Sequence, residues 1–170
     1  HLFETFLGRY QTRLAMTASE RCACFRFEFP VDSERRVLIQ GIDGASWFRV
    51  DGQSIEGFTR GNSGGVPDGF ACYMYGEIDT PIESSCLYTD GELYGGEGEA
   101  DRVGVAIDLK AGGGAILRLA TSFISVAQAR RNLEYEVAGQ SFEALRDGNE
   151  AVWEERLGRI EIEGASEEQK

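Results

Sequence analysis

Apolar residues in this chain keep one spacing up to Ile124 and another from Val126 onward, and that change limits the fold more than any other feature. Leu117, Leu119, Thr121 and Phe123 alternate, which places them on one face of a strand predicted to end at Ile124. Val126, Ala129, Leu133 and Val137 then recur at spacings of three and four, the stripe of a helix, with Arg130, Arg131 and Glu134 on its other face. Ser125 stands three residues ahead of Gln128. This is the pattern of a capping box, in which each side chain satisfies a backbone N–H beside the other. A second helix is predicted from Ser141 through Phe142, Leu145, Val152, Trp153 and Leu157, with Trp153 as a packing residue. Gly148 interrupts it and is expected to loosen or kink it, at about 1 kcal/mol relative to alanine.

Ahead of the change the chain reads as short strands separated by turns. Tyr10–Thr17 and Arg21–Phe29 are the first two. In the second, Phe25, Phe27 and Phe29 alternate with Arg26 and Glu28 as a core face, and Pro30 closes it. Arg36–Gln40 is a short apolar strand. Ser46–Val50 and Gln53–Thr59 flank Asp51-Gly52, both of which tolerate the positive φ of a type I′ hairpin turn. Arg60–Gly69 is a connecting loop without the Gly-Lys-Ser/Thr ending of a phosphate cradle. Phe70–Ile78 and Ile82–Tyr88 follow, then an Asp90-Gly91 turn and an acidic, glycine-rich loop up to Asp101. Val103, Val105, Ile107 and Leu109 mark a half-buried strand, and Lys110–Gly114 turns the chain into Ala115–Ile124. About nine strands, with a turn about every 8–12 residues, predict an antiparallel β-sandwich rather than a βαβ fold.

At 170 residues the chain suffices for one domain with a substantial core. Its net charge of −12 weighs against nucleic acid and anionic lipid, which both require a cationic surface. No apolar run approaches the roughly 18 residues that cross a bilayer. The chain opens at His1-Leu2-Phe3 with neither an initiator Met nor a signal peptide, as an excised or processed piece would. Cys22 and Cys24 lie about 6.6 Å apart on one strand with parallel side chains, a poor geometry for a bridge. Together with Cys72 and Cys86 they are expected to be free thiols. His1 is the one histidine, so nucleophilic triads and a zinc site lack their imidazole.

Glycosidase chemistry in an inverting enzyme needs two carboxylates about 6.5–9.5 Å apart. With 29 acids in the chain some pair meets that distance by chance, and the sequence nominates none. Asp90, Glu92, Glu97, Glu99 and Asp101 offer oxygens to a calcium ion, but not at EF-hand spacing, and a solvated loop is the expectation. Candidate ligand contacts are the aromatics Trp47, Tyr73, Tyr75, Tyr88 and Tyr94. Such rings either stack on the C–H face of a pyranose or pack in a core or against a neighbouring domain. Tyr73 and Tyr75 share a strand face.

The run from Ser122 to Glu134, followed by Phe142-Glu143, Trp153-Glu154-Glu155-Arg156-Leu157 and Ile160–Gly164, resembles a segment of glycoside hydrolase family 92, the calcium-dependent exo-α-mannosidases. Thr17–Arg21, Phe25–Pro30, Ile55–Gly57 and Phe70–Asp79 are similar, more loosely, to upstream strands of that family. The resemblance implies a mainly β fold, an antiparallel β-sandwich of the galactose-mutarotase-like supersandwich type, followed by two α-helices and a short terminal strand. The expected division is a sandwich over 1–124, interdomain linker helices and the short strand over 125–164, and a polar tail over 165–170.

By the same resemblance, the catalytic carboxylates and calcium belong to a C-terminal α/α barrel that this chain would pack against. The parent would hydrolyse terminal α-mannosides, or N-glycans, with inversion, in a secreted, periplasmic or cell-surface bacterial setting. The family's sugar-contacting sandwich groups lie mainly ahead of the segment covered, and the stretch from His1 to Arg9 departs from that pattern. No catalytic, metal-ligating or substrate-binding residue is therefore carried over. The expected role is structural, with neither catalytic activity nor a cofactor of its own, and with some self-association. The alternatives are a stand-alone carbohydrate-binding module built on the exposed aromatics and an acidic protein-interaction scaffold.

Overall fold

A computed structural model of the chain describes residues 1–159 except 32, 42, 43, 63, 90, 91, 96 and 111, together with 164 and 166. Its strands are β1 (Leu2–Leu7), β2 (Thr12–Ala18), β3 (Cys22–Glu28), β4 (Arg36–Gln40), β5 (Ala45–Asp51) and β6 (Ser54–Thr59). They continue as β7 (Cys72–Ile78), β8 (Ile82–Thr89), β9 (Glu92–Tyr94), β10 (Gly98–Asp101), β11 (Gly104–Leu109) and β12 (Gly114–Ser122). Helices α1 (Val126–Glu136) and α2 (Phe142–Leu157) follow. Among the described residues the strands form an eight-stranded sheet, β1-β2-β3-β12-β7-β6-β5-β10, and a four-stranded sheet, β4-β11-β8-β9, with all pairings antiparallel.

The large sheet is apolar on both faces, and each face has its own cover. Phe48, Ile55, Ile78 and Leu117 point inward and meet Val37, Leu87, Val105 and Ile107 of the small sheet. On the outer face Ala15, Cys22, Cys24, Tyr75 and Ala120 lie under Ala129, Leu133, Val137, Phe142 and Leu145 of the helical segment. The predicted stripe of α1 is therefore its docking face: Ala129 and Leu133 are fully buried and Val137 almost so. Gly57 is required where it stands, because a Cβ there would sit 2.6 Å from the Phe48 ring and 2.8 Å from the Trp47 carbonyl oxygen.

Polar contacts fix the helices in register. Asn132 Nδ2 donates to the Thr121 carbonyl at 2.8 Å. Glu136 accepts from Ser19 Oγ, from the Arg21 backbone N–H at 3.0 Å and from the Arg21 guanidinium, tying the β2–β3 turn to the end of α1. Arg26 lies 4.3 Å from the centroid of the Phe142 ring and pairs with Glu143, which seats the start of α2.

Several expectations are corrected. β1 was not foreseen, because its apolar residues do not alternate and it pairs on one side only, with β2. The hairpin loop is Gly52-Gln53, since Asp51 pairs with Ser54. Positive φ at Gly52 alone is the type II′ pattern rather than I′. β11 is buried on both faces instead of half-buried. β9 and β10 occupy most of the acidic stretch expected to be a loop. Phe25, Phe27 and Phe29 do face inward, but they stay partly exposed at the margin of the core.

Further corrections concern the helices. The capping box is half formed: Ser125 Oγ accepts from the Gln128 N–H, while the Gln128 side chain turns to Asn132 and Arg131. Gly148 leaves α2 unbroken over 16 residues, and past it Val152, Trp153 and Leu157 are exposed rather than packed. The predicted Asp90-Gly91 turn and terminal strand at Ile160 lie outside the described residues.

The Glu136 clamp yields a prediction. Burial alone would raise its pKa, but the hydrogen bonds from Ser19 and Arg21 and the Arg21 charge hold it below the ordinary 4.5. Asp108 is likewise lowered, by Arg36 and Ser84 against burial. A depressed folded-state pKa adds stability above the unfolded value, and that stability is lost as pH falls through the folded value. Urea unfolding should show stability dropping on acidification below the ordinary carboxylate range. Glu136→Gln should lower neutral-pH stability by about 1–3 kcal/mol and flatten that acid-side drop.

Candidate functional site

Antiparallel register assembles a line of aromatic side chains on the outer face of the large sheet, beside α1. Trp47 of β5 pairs with Phe58 of β6, Phe58 with Tyr73 of β7, and Tyr73 with Ser122 of β12. Period-two alternation sends all of these outward, while Phe48, Ile55 and Met74 go inward. The Trp47 and Phe58 rings are 6.2 Å apart and inclined by 17°; Phe58 and Tyr73 are 6.1 Å apart. Phe70 and Phe123 make a further pair at 5.1 Å. Arg60 lies 5.1 Å from the Phe58 centroid and donates to the Gly69 carbonyl, which holds the ends of the 60–69 loop together. Arg49 lies 6.0 Å from Trp47 and bonds Glu56.

One row along, Tyr75 passes beneath α1 and is 4% exposed. Its hydroxyl donates to Glu77, Arg130 lies 5.4 Å from its ring, and burial together with the Glu77 bond raises its pKa. Among the sequence-derived candidates, Trp47 and Tyr73 therefore share one surface, and Tyr75 serves the helix–sheet core. Tyr94 packs against the inter-sheet core opposite Leu87. Tyr88 lies over Gly104, where a Cβ would come within 2.5 Å of its ring. Sequence reading missed Phe58, which joins Trp47 to Tyr73, because only strand pairing makes it their neighbour.

Two carboxylates of this surface are engaged, Glu56 by Arg49 and Glu77 by Tyr75, while Glu99 of β10 stands opposite Trp47. All four cysteines are free, and Cys22 is pushed up to about 12 by burial and by the Glu136 charge, far from a reactive thiolate. Among the described residues no three of His, Cys, Asp and Glu gather as a metal site. Of the acids weighed for calcium, Asp90 and the side chain of Asp101 lie outside the description. The described helices include none long and apolar enough to cross a membrane.

The two strand neighbours Trp47 and Phe48 should behave oppositely in urea unfolding. Phe48→Ala empties the inter-sheet core and should cost about 3–5 kcal/mol. Trp47→Ala removes a partly buried ring from the outer face without opening the inter-sheet core, and should cost less, about 1.5–3 kcal/mol.

Comparison with known proteins adds two family matches. Residues 1–122 match the glycosyl hydrolase family 92 N-terminal domain, and residues 128–170 match the family 92 catalytic domain. No curated protein matches the sequence. Among solved structures, the family GH92 inverting mannosidase BT2199 of Bacteroides thetaiotaomicron VPI-5482 superposes with a TM-score of 0.91 at 28% identity, over 98% of this chain. The GH92 α-mannosidase BT3965 of Bacteroides thetaiotaomicron gives 0.82 at 20% identity over 96% of this chain, and the gh92 family hydrolase ccman5 gives 0.81 at 21% over 91%. The last two likenesses are of fold alone. The chain spans only about 23%, 24% and 22% of those three structures respectively.

Proposed function

This chain belongs to glycosyl hydrolase family 92, and on that premise we propose that its sandwich is a non-catalytic part of an α-mannosidase. In this reading the row Trp47–Phe58–Tyr73 packs against the helical catalytic portion and shapes one side of the sugar pocket. The reaction would be hydrolysis of terminal α-mannosides with inversion, carried out by carboxylates and calcium in that catalytic portion. Among the described residues no three of His, Cys, Asp and Glu stand together to hold such an ion.

The observation that carries the reading is a partly buried aromatic row beside helices whose outer surface is exposed. The aromatic row lies on the same face as α1 and α2, which fall within the match to the catalytic domain from residue 128 onward. Tyr135 is 86% exposed and Trp153 49%, so the helices also present large rings to a further layer. Aromatic clusters of this kind are what an interdomain contact buries. The near-parallel rings of Trp47 and Phe58 favour one competing reading, a flat sugar platform in a stand-alone binding module.

The two readings part in calorimetry and in an enzyme assay. Chain 1–170 should bind neither mannose nor manno-oligosaccharides and should not turn over 4-nitrophenyl α-mannoside, whereas the longer natural polypeptide should hydrolyse it. Trp47→Ala combined with Tyr73→Ala should lower the Tm of the longer polypeptide by about 2–4 °C more than that of chain 1–170. Mannose binding by chain 1–170 would favour the module, and turnover by it would overturn the non-catalytic assignment.

A further inference from the structure

Among the described residues the two sheets differ in width, and no element covers the excess on its inner side. The small sheet ends at β4, while the large sheet continues from β12 through β3, β2 and β1. At about 4.8 Å per strand, these last three leave a shelf roughly 14 Å wide. Phe3, Met16 and Phe25 lie in one register row on its inner face, with Leu14 and Phe27 in the next. Phe3 is 52% exposed and Leu7 37%, although both face the side on which a core should lie. Between this shelf and β4 runs an apolar groove of about 740 Å³, lined by Leu14, Phe25, Phe27, Val37, Ile39 and Leu119 among others.

The edge of β4 beside the groove is open for pairing. The Gly41 N–H donates to the Val103 carbonyl and the Leu109 N–H to the Arg35 carbonyl, so odd-numbered residues of β4 bond β11. The N–H and C=O groups of Arg36, Leu38 and Gln40 consequently point away from β11, toward the open side. An apolar shelf and an unpaired edge that meet at one groove are the two components of strand addition: backbone bonds at the edge and alternate side chains on the shelf.

We propose that an extended, alternately apolar segment from a further part of the same longer polypeptide pairs with β4 and covers Leu14, Phe25 and Phe27. The inference rests on this chain's being part of a longer family member, of whose solved relatives it spans less than a quarter. A second copy is a poor occupant. Antiparallel pairing of two β4 edges would bring the partner's own wide sheet to the same side, into the space held by β1, β2 and β3. Its net charge of −12 would also be repelled. A segment tethered in the same molecule carries no such second layer and is present at high effective concentration.

Amide hydrogen exchange at Leu38 and Gln40, compared between chain 1–170 and the longer natural polypeptide, tests this. Exchange should be fast in the former and slowed at least about 100-fold in the latter. Equal rates would overturn the proposal. Protection in chain 1–170 that rises with concentration would overturn it in favour of a second copy. Gln40→Pro removes an outward N–H and leaves the β11 bonds intact. In the longer polypeptide it should return Leu38 to fast exchange while the urea midpoint of chain 1–170 stays unchanged. Persistent protection of Leu38 in that variant would equally overturn the proposal. Hydrolysis of 4-nitrophenyl α-mannoside is read separately: if the longer polypeptide is active but Leu38 is unprotected, this inference fails and the functional reading stands.

Discussion

Burial of β12 on both of its faces holds this molecule together. Ala115 and Leu117 face the small sheet, and Ala120 faces α1, with Ala120 and Ala129 both wholly buried where helix and strand meet. Two alanines at the crossing let the backbones approach closely, so that Leu133 and Val137 reach the sheet. Each fully buried side chain of that size contributes about 1.5–3 kcal/mol. The strand also carries β3 on one edge and β7 on the other. Without it the two halves of the large sheet would have no common member, and the helices no floor.

The same arrangement explains why the polar contacts cluster at the junction of strand and helix. A helix docked only by small apolar residues can slide, since hydrophobic contact has no direction. Asn132 on the Thr121 carbonyl and Glu136 on Ser19 and Arg21 supply the direction. These bonds join elements more than 100 residues apart in the case of Glu136, so they act once the fold has brought their partners together. Beyond α1 the cover stops, and the aromatic row from Trp47 to Tyr73 lies just past its margin.

Much of the secondary structure was legible because short-range signals agreed with long-range packing. Phe25 and Phe27 announced a strand, Ser125 and Ser141 both cap the helices expected of them, and the stripe from Val126 to Val137 is the docked face. Where the two scales disagreed, reading failed. β1 pairs through its backbone with little help from side-chain alternation, and the Gly52-Gln53 turn depended on which residues paired across the hairpin. Gly148 sits in a helix whose outer side meets no neighbour, so its missing side chain breaks no contact. Trp47 and Tyr73 could be named as surface candidates, but nothing local could say that Phe58 bridges them.

The sequence by itself determined most of the element types: a β-rich chain that becomes helical after Ser125, with free cysteines. Those properties are local, set by side-chain period and by the residue types present. Tertiary structure alone decided that β12 lies between β3 and β7, that Tyr75 is buried while Tyr73 is only partly so, and that, among the described residues, the small sheet does not extend over the inner face of β1, β2 and β3. The reason is physical. Alternation along a strand says which residues share a face, but which strands become neighbours, and which faces meet, depends on contacts between segments far apart in the chain.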